Sequence, residues 1–181
     1  MRMDVDDETL ARQAGNGDGP AFSALLERHY DRLFALCFRL MGNRAEAEDL
    51  TQDICAGLAA KLAGFRGRAH FTTWLHRVAV NAAHDRRRRR ARLKRAADGW
   101  GDWERARHVE NAEQQAAILW LHEAMRTLPP ELRDTLALTL DEELTHREAA
   151  GVLGISEGTV SWRMAEIRKR LRAMHEQDAN T

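Results

Sequence analysis

Apolar residues recur every third or fourth position through most of this chain, the spacing that lines them along one side of an α-helix. No stretch alternates with the period of two that marks a half-buried strand. Phe22, Leu25, Leu26, Leu33, Phe34, Cys37, Leu40 and Met41 form one such stripe, which places the first helix near Gly19-Pro20 and ends it at Gly42. Asn43 then caps a second helix through Ala45, Leu50, Ile54 and Leu58 toward Leu62, with Glu46, Asp49, Gln52 and Asp53 turned outward. Gly64 and Gly67 bracket Phe65 in a loop. Beyond it Phe71, Trp74, Leu75 and Val78 make an amphipathic stretch leading into Asn81 and a block of arginines.

From Ala96 the periodicity fades into Asp98, Gly99, Gly101 and Asp102, so residues 96–116 read as a linker between two helical domains, 1–95 and 117–181. Trp100 and Trp103 are unusual there; they dock the linker onto another surface or form a short helical turn. The second domain carries Ile118, Leu119, Leu121, Met125 and Leu128 on one helix, Pro129-Pro130 as its break, and Leu132, Leu136 and Leu140 on the next. Thr145 followed by Glu148 is a capping box, Leu153-Gly154 a helix stop, and Ser156 restarts a helix two residues later. Two helices joined by so short a turn have the layout of a helix-turn-helix DNA reader. In its second helix Val160, Met164, Ile167 and Leu171 form the buried stripe. Trp162 and Lys169 lie nearly opposite, flanked by Ala165 and Glu166. An exposed tryptophan there packs on a neighbouring part of the protein or belongs to a nucleic-acid or partner surface.

Composition adds weight to helices: alanine, leucine, arginine and glutamate dominate and there are three prolines, so an all-α protein is expected. The formal charge of zero hides segregation. Residues 1–60 carry −5, residues 61–97 carry twelve basic groups against one acidic, residues 98–150 carry −7 and residues 151–181 carry +1. A basic segment of that density is the footprint of a polyanion contact, and its acidic flanks suit basic protein partners. Arg86 to Arg90, Arg92, Lys94 and Arg95 could be a solvated or disordered tail, but they adjoin aromatic-rich folded sequence. Rings that stack bases beside cations that hold the backbone are the chemistry of single-stranded nucleic acid.

No segment approaches the roughly 18 apolar residues of a membrane span and the acidic start is unlike a signal peptide, so no membrane insertion and a cytoplasmic location are expected. Cys37 and Cys55 lack CxxC spacing and read as reduced thiols on apolar faces. His70, His76 and His84 do not share a helical face, so no metal site is expected. No G-x-x-x-x-G-K-[ST] loop is present, so no nucleotide cofactor is expected.

The segments D-G-P-A-F-S-A-L-L-E-R-H-Y at 18–30, A-E-D-L-T-Q-D-I at 47–54, F-R-G-R-A-H-F-T-T-W-L-H-R-V-A-V-N at 65–81, L-P-P-E-L-R at 128–133 and G-I-S-E-G-T-V at 154–160 follow one another in an order that resembles the extracytoplasmic-function group of bacterial RNA polymerase sigma factors. The resemblance spans nearly the whole chain. It implies a factor, not an enzyme, that binds core RNA polymerase, opens the −10 promoter element with a region 2-like domain and reads the −35 element with a region 4-like one. Asp49, Gln52 and Asp53 would grip the clamp coiled coil of the largest subunit, and the C-terminal domain would meet the flap of the second-largest. Trp74, Arg77, Asn81, Arg86, Arg87 and Arg88 would contact the −10 strand, with Asn81 opening a loop that captures an unstacked base. Glu157, Thr159, Ser161, Trp162, Arg163 and Glu166 would face the −35 duplex. The resemblance also implies an anti-sigma partner.

Where many members of that group carry Arg or Lys after G-T-V, this chain has Ser161, Trp162 and, further on, Glu166, so its −35 preference should differ. Glu166 accepts from cytosine N4, or it pairs with Arg163 or Arg170 on its own helix. Trp162 would contact thymine methyls or sugar, and Arg163 phosphate. Two other readings compete. A stand-alone, dimeric helix-turn-helix regulator leaves the single-strand chemistry of 65–95 without a role, and a protein-binding adaptor leaves the arginine block unexplained.

Overall fold

In the computed structural model, residues 5–96, 120–121, 123–140 and 144–178 are described, with backbone alone for 94–96. The expected linker beyond residue 96, with Trp100 and Trp103, and also Ile118 and Leu119, lie outside them. The described residues are helices and turns: α1 (Asp7–Gly15), α2 (Gly19–Met41), α3 (Arg44–Leu62), α4 (Phe71–Ala96), a helical stretch at 123–127, α5 (Pro130–Thr139), α6 (His146–Leu153) and α7 (Glu157–Asp178).

The chain's first helix is therefore α1, not the one at Gly19. Asp6 caps it by accepting from the Thr9 N–H at 2.8 Å, and it buries Leu10, Ala11 and Ala14. A face made largely of alanine hardly registers as an apolar stripe. It also allows close approach: a Cβ on Gly15 would stand 2.6 Å from the carbonyl oxygen of Leu62. α2 begins as expected, with Asp18 accepting from the Ala21 N–H at 3.0 Å, and ends on Gly42 at φ 68°, a left-handed conformation glycine adopts without steric cost. Asn43 caps α3 as expected, but Ala45 is exposed and Ala47 takes the buried position.

Asn81 does not open a loop. It lies in the interior of the 26-residue α4, because Ala82, Ala83 and the arginines after it are strong helix formers with no glycine or proline among them. One asparagine lowers helix propensity by well under ~1 kcal/mol, too little to break such a run.

Around α1–α4 the core closes on leucines and on a ring cluster. Phe71 meets His29 at 5.1 Å and Phe65 at 6.1 Å between centroids, and Trp74 lies 5.4 Å from Phe65. In the second half the L-P-P-E-L-R segment turns the chain back on itself. The Arg133 guanidinium donates to the carbonyls of Met125, Arg126 and Leu128 at 2.9, 2.8 and 3.2 Å, satisfying the acceptors that a helix end leaves open. Leu132 and Leu136 are buried, but Leu140 follows the end of α5 and stands 36% exposed, outside the expected stripe.

The helix-turn-helix follows its sequence signals. Thr145 and Glu148 form the reciprocal capping box, Gly154 ends α6 at φ 68°, and the Ser156 hydroxyl accepts from the Thr159 N–H at 3.1 Å to start α7. Val160 and Ile167 are fully buried, with Met164 and Leu171 packed against the core at partial exposure.

Candidate nucleic-acid and polymerase interface

α4 positions most of the candidate groups, and its 3.6-residue period sorts them. Its buried residues Phe71, Leu75, Ala79 and Ala83 face the core. At about 100° per residue, Trp74, Arg77, Asn81, His84 and Arg88 fall within about 80° of one another on the other side. Trp74 is half-buried at the head of this stripe, its ring held by Phe65 and, at 5.9 Å, by Phe71. Arg77 and Asn81 are exposed. The exposed arginines Arg66 and Arg68, in the loop that brings Phe65 to Trp74, join this end of the stripe; two cations between Gly64 and His70 were the signal for them.

Arg86, Arg87 and Arg88 were expected to act together, yet each points about 100° from the next and they diverge. Arg86 lies on the side toward α3 and reaches Asp49 at 2.7 Å and Asp53 at 3.1 Å. Both carboxylates remain exposed, and Gln52 beside them is exposed too, so the acidic face of α3 exists as expected but holds an internal counter-ion. Arg90 pairs similarly with Glu46. Arg87 points into the second half of the chain and donates twice to Asp134 of α5, at 2.9 and 2.7 Å. Arg88 alone shares the Trp74 stripe, where it pairs with Asp85.

The two halves meet along α2 and α4 on one side and α5 and α6 on the other. Besides Arg87, His84 Nε2 bonds Asp134 at 2.8 Å, Arg39 donates to the Ala137 carbonyl at 3.0 Å, and Arg77 donates to the Gly151 carbonyl. A cleft of about 450 Å³ runs beside this seam, lined by His84, Arg87, Arg88, Asp134, Ile155 and Arg163 among others. Asp134 is 3% exposed, a buried carboxylate that the sequence reading did not single out. Nearby, burial among Arg39, His29 and Arg32 pushes the His76 imidazole down to about 4 against a small opposing pull from Glu148, so it is neutral at pH 7. Burial likewise raises the Cys37 thiol to about 11, which leaves it unreactive at neutral pH.

On α7 the candidate readers behave differently from one another. Glu157 faces Arg147 at 3.5 Å, Thr159 bonds Ser156 at 2.8 Å, and Ser161 bonds His146 at 3.1 Å. Arg163 folds back to the Glu131 carbonyl and the Thr135 hydroxyl, both at 3.3 Å. Glu166 pairs with Arg170 at 2.7 Å, the second of its two expected alternatives. Trp162 stands 65% exposed.

Among the described residues no group of three metal-ligating side chains converges, and no helix is long and apolar enough to cross a membrane. The arrangement instead offers an acidic helix face, an aromatic and basic stripe, and a helix-turn-helix.

Residues 25–93 match the family described as sigma-70 region 2 and residues 118–171 that described as sigma-70, region 4. The chain is 33% identical over 190 residues to the RNA polymerase sigma factor CnrH of Cupriavidus metallidurans, covering 99% of each protein. It is 34% identical over 158 residues to the ECF RNA polymerase sigma factor SigE of Mycolicibacterium smegmatis, covering 84% of this chain and 61% of that longer protein. The solved structure of CnrH in complex with the cytosolic domain of CnrY is similar with a TM-score of 0.69 at 28% identity, covering 95% of this chain and 98% of that one.

Proposed function

This chain belongs to the extracytoplasmic-function sigma factors of bacterial RNA polymerase, non-enzymatic proteins that bind the core enzyme and direct it to promoters, and we propose how its surfaces divide that work. The exposed face of α3, with Asp49, Gln52 and Asp53, takes the clamp coiled coil of the largest subunit. The C-terminal helices take the flap of the second-largest. The Trp74–Arg77–Asn81–Arg88 stripe of α4 receives the −10 strand, and α7 enters the major groove at −35. The similar CnrH was solved in complex with the cytosolic domain of CnrY, which favours a regulatory protein partner, an anti-sigma factor, for this chain.

The observation that carries this reading is the α4 stripe. Its one aromatic ring, two cations and one amide share a face in the same chain as a helix-turn-helix, a combination suited to a strand that must be unstacked and held. Extruding a base costs a few kcal/mol, and stacking at about 1–3 kcal/mol per base with arginine–phosphate contacts offsets it, so opening needs no nucleotide hydrolysis. Since Asn81 sits within a helix, the extruded base is received along the helix face and the adjoining 63–70 loop.

The closed seam bears on the sequence of events. Elements about 25 base pairs apart lie on the order of 85 Å apart along the duplex at ~3.4 Å per step. A packed chain of 181 residues is only about 40 Å across. Promoter engagement therefore requires the halves to part, which also releases Arg77 and Arg87 from Gly151 and Asp134.

The test is in vitro transcription with sigma-free core polymerase and a pool of bacterial promoter fragments. Specific initiated transcripts are expected. Tight duplex binding by the chain alone with no transcripts would instead identify a stand-alone helix-turn-helix regulator.

A further inference from the structure

We propose that Trp162 is the specificity-determining residue of the recognition helix, reading a thymine in the −35 duplex through its C5-methyl group. This rests on the assignment of α7 to the −35 major groove.

The six outward candidates on α7 are not equally available. Glu157, Thr159, Ser161, Arg163 and Glu166 each have a hydrogen bond or ion pair within the same half of the chain. Such pairings do not prevent base contact, but each must be exchanged for it. Trp162, 65% exposed, has no hydrogen bond or ring contact among the described residues, so it meets a groove with nothing to give up. It lies in the second turn of α7, and in helix-turn-helix proteins the N-terminal part of the recognition helix is the part that touches base edges. Ala165 is one turn on, small enough to let the helix sit deep. The exposed Arg168, Lys169 and Arg172 lie further along α7, where phosphates flank the groove.

Indole chemistry selects the base. The ring offers a large apolar face and one N–H, and it cannot accept a hydrogen bond. In the major groove thymine alone presents an apolar methyl beside an acceptor, O4, matching both features. Cytosine places an N4 donor where thymine has O4, so donor would face donor. Guanine offers acceptors but no methyl, and adenine pairs its N7 acceptor with a donor.

The experiment uses holoenzyme reconstituted from core polymerase and the full chain. A −35 sequence is first selected from a randomised promoter library, and each thymine on either strand is then replaced by deoxyuridine, which removes only the methyl. For the wild-type chain, binding should weaken roughly fourfold at one position, the worth of one buried methyl at ~0.8 kcal/mol. W162A should bind the parent promoter more weakly and show no deoxyuridine effect at that position, while W162F, which retains an apolar face, keeps part of it. Circular dichroism should show both variants folded, since the side chain is at the surface. Equal deoxyuridine penalties in wild type and W162A, or a W162A loss spread evenly over all −35 sequences, would overturn the proposal. Failure of the wild-type chain to support any promoter-specific initiation would remove the sigma assignment and this inference together, an outcome distinct from the first two.

Discussion

Replacing Asp134 by asparagine should loosen the seam between the two halves. Its carboxylate, 4% exposed, takes two N–H groups from Arg87 at 2.9 and 2.7 Å and faces His84 Nε2 at 2.8 Å, and all the donors lie on α4 while Asp134 lies on α5. Breaking a buried ion pair by removing one partner typically costs about 3–5 kcal/mol, because the other charge is left desolvated. Here the Arg87 side chain is 21% exposed and can recover part of its hydration, and asparagine still accepts one hydrogen bond, which brings the expected loss to about 2 kcal/mol. Equilibrium urea unfolding of wild type, D134N, Arg87→Met and the double variant isolates the pair from any effect on α5 itself. Small-angle scattering on the same proteins reads the shape. A coupling of about 1–3 kcal/mol and a larger radius of gyration in both single variants are expected. A coupling within about 0.5 kcal/mol of zero, with unchanged scattering, would show that this cluster does not hold the halves together.

Three further outcomes follow from individual residues. His76 is neutral in the fold down to about pH 4, whereas an unfolded histidine takes up its proton near 6.5. The native state thus binds fewer protons between those values; stability is full above pH 6.5 and falls by about 2 kcal/mol by pH 5, a slope that His76→Gln should flatten in urea titrations at each pH. Gly15→Ala drives a methyl against the Leu62 carbonyl and should cost about 1–3 kcal/mol in thermal unfolding; no loss would mean that α1 is not docked on α3 as described. Asn81→Ala at an exposed interior position of α4 should stabilise the helix by about 0.5 kcal/mol while reducing opening of the −10 element, measured by permanganate reactivity of its thymines. Unchanged opening would remove Asn81 from the strand-binding face.

What the sequence revealed was local in origin. The Thr145–Glu148 box, the Gly154 stop, the Asn43 cap and the Val160–Ile167 stripe each depend on residues within a turn or two, and each is found where its spacing put it. α1 escaped notice because Ala11 and Ala14 bury a face without the bulk that marks one. The loop at Asn81 came from the family resemblance alone, and the run of alanine and arginine after it keeps that residue inside α4. The partners of the arginine block were the least legible part. Periodicity fixes the direction in which Arg86, Arg87 and Arg88 leave α4, but it cannot say that a carboxylate from α3 waits on one side and one from α5, forty-seven residues away, on another. Asp134 looked like one more surface charge in an acidic stretch; only the packing of α4 against α5 buries it.

The Arg86 fork across Asp49 and Asp53 makes the acidic face of α3 a self-neutralised one. One guanidinium, leaving α4 on the side away from the Trp74 stripe, is the counter-ion of both carboxylates proposed to face polymerase. A basic partner docking on α3 therefore exchanges one cation for another rather than meeting bare charge. A chain that has not met polymerase keeps these opposite charges folded against each other, muted toward stray basic proteins.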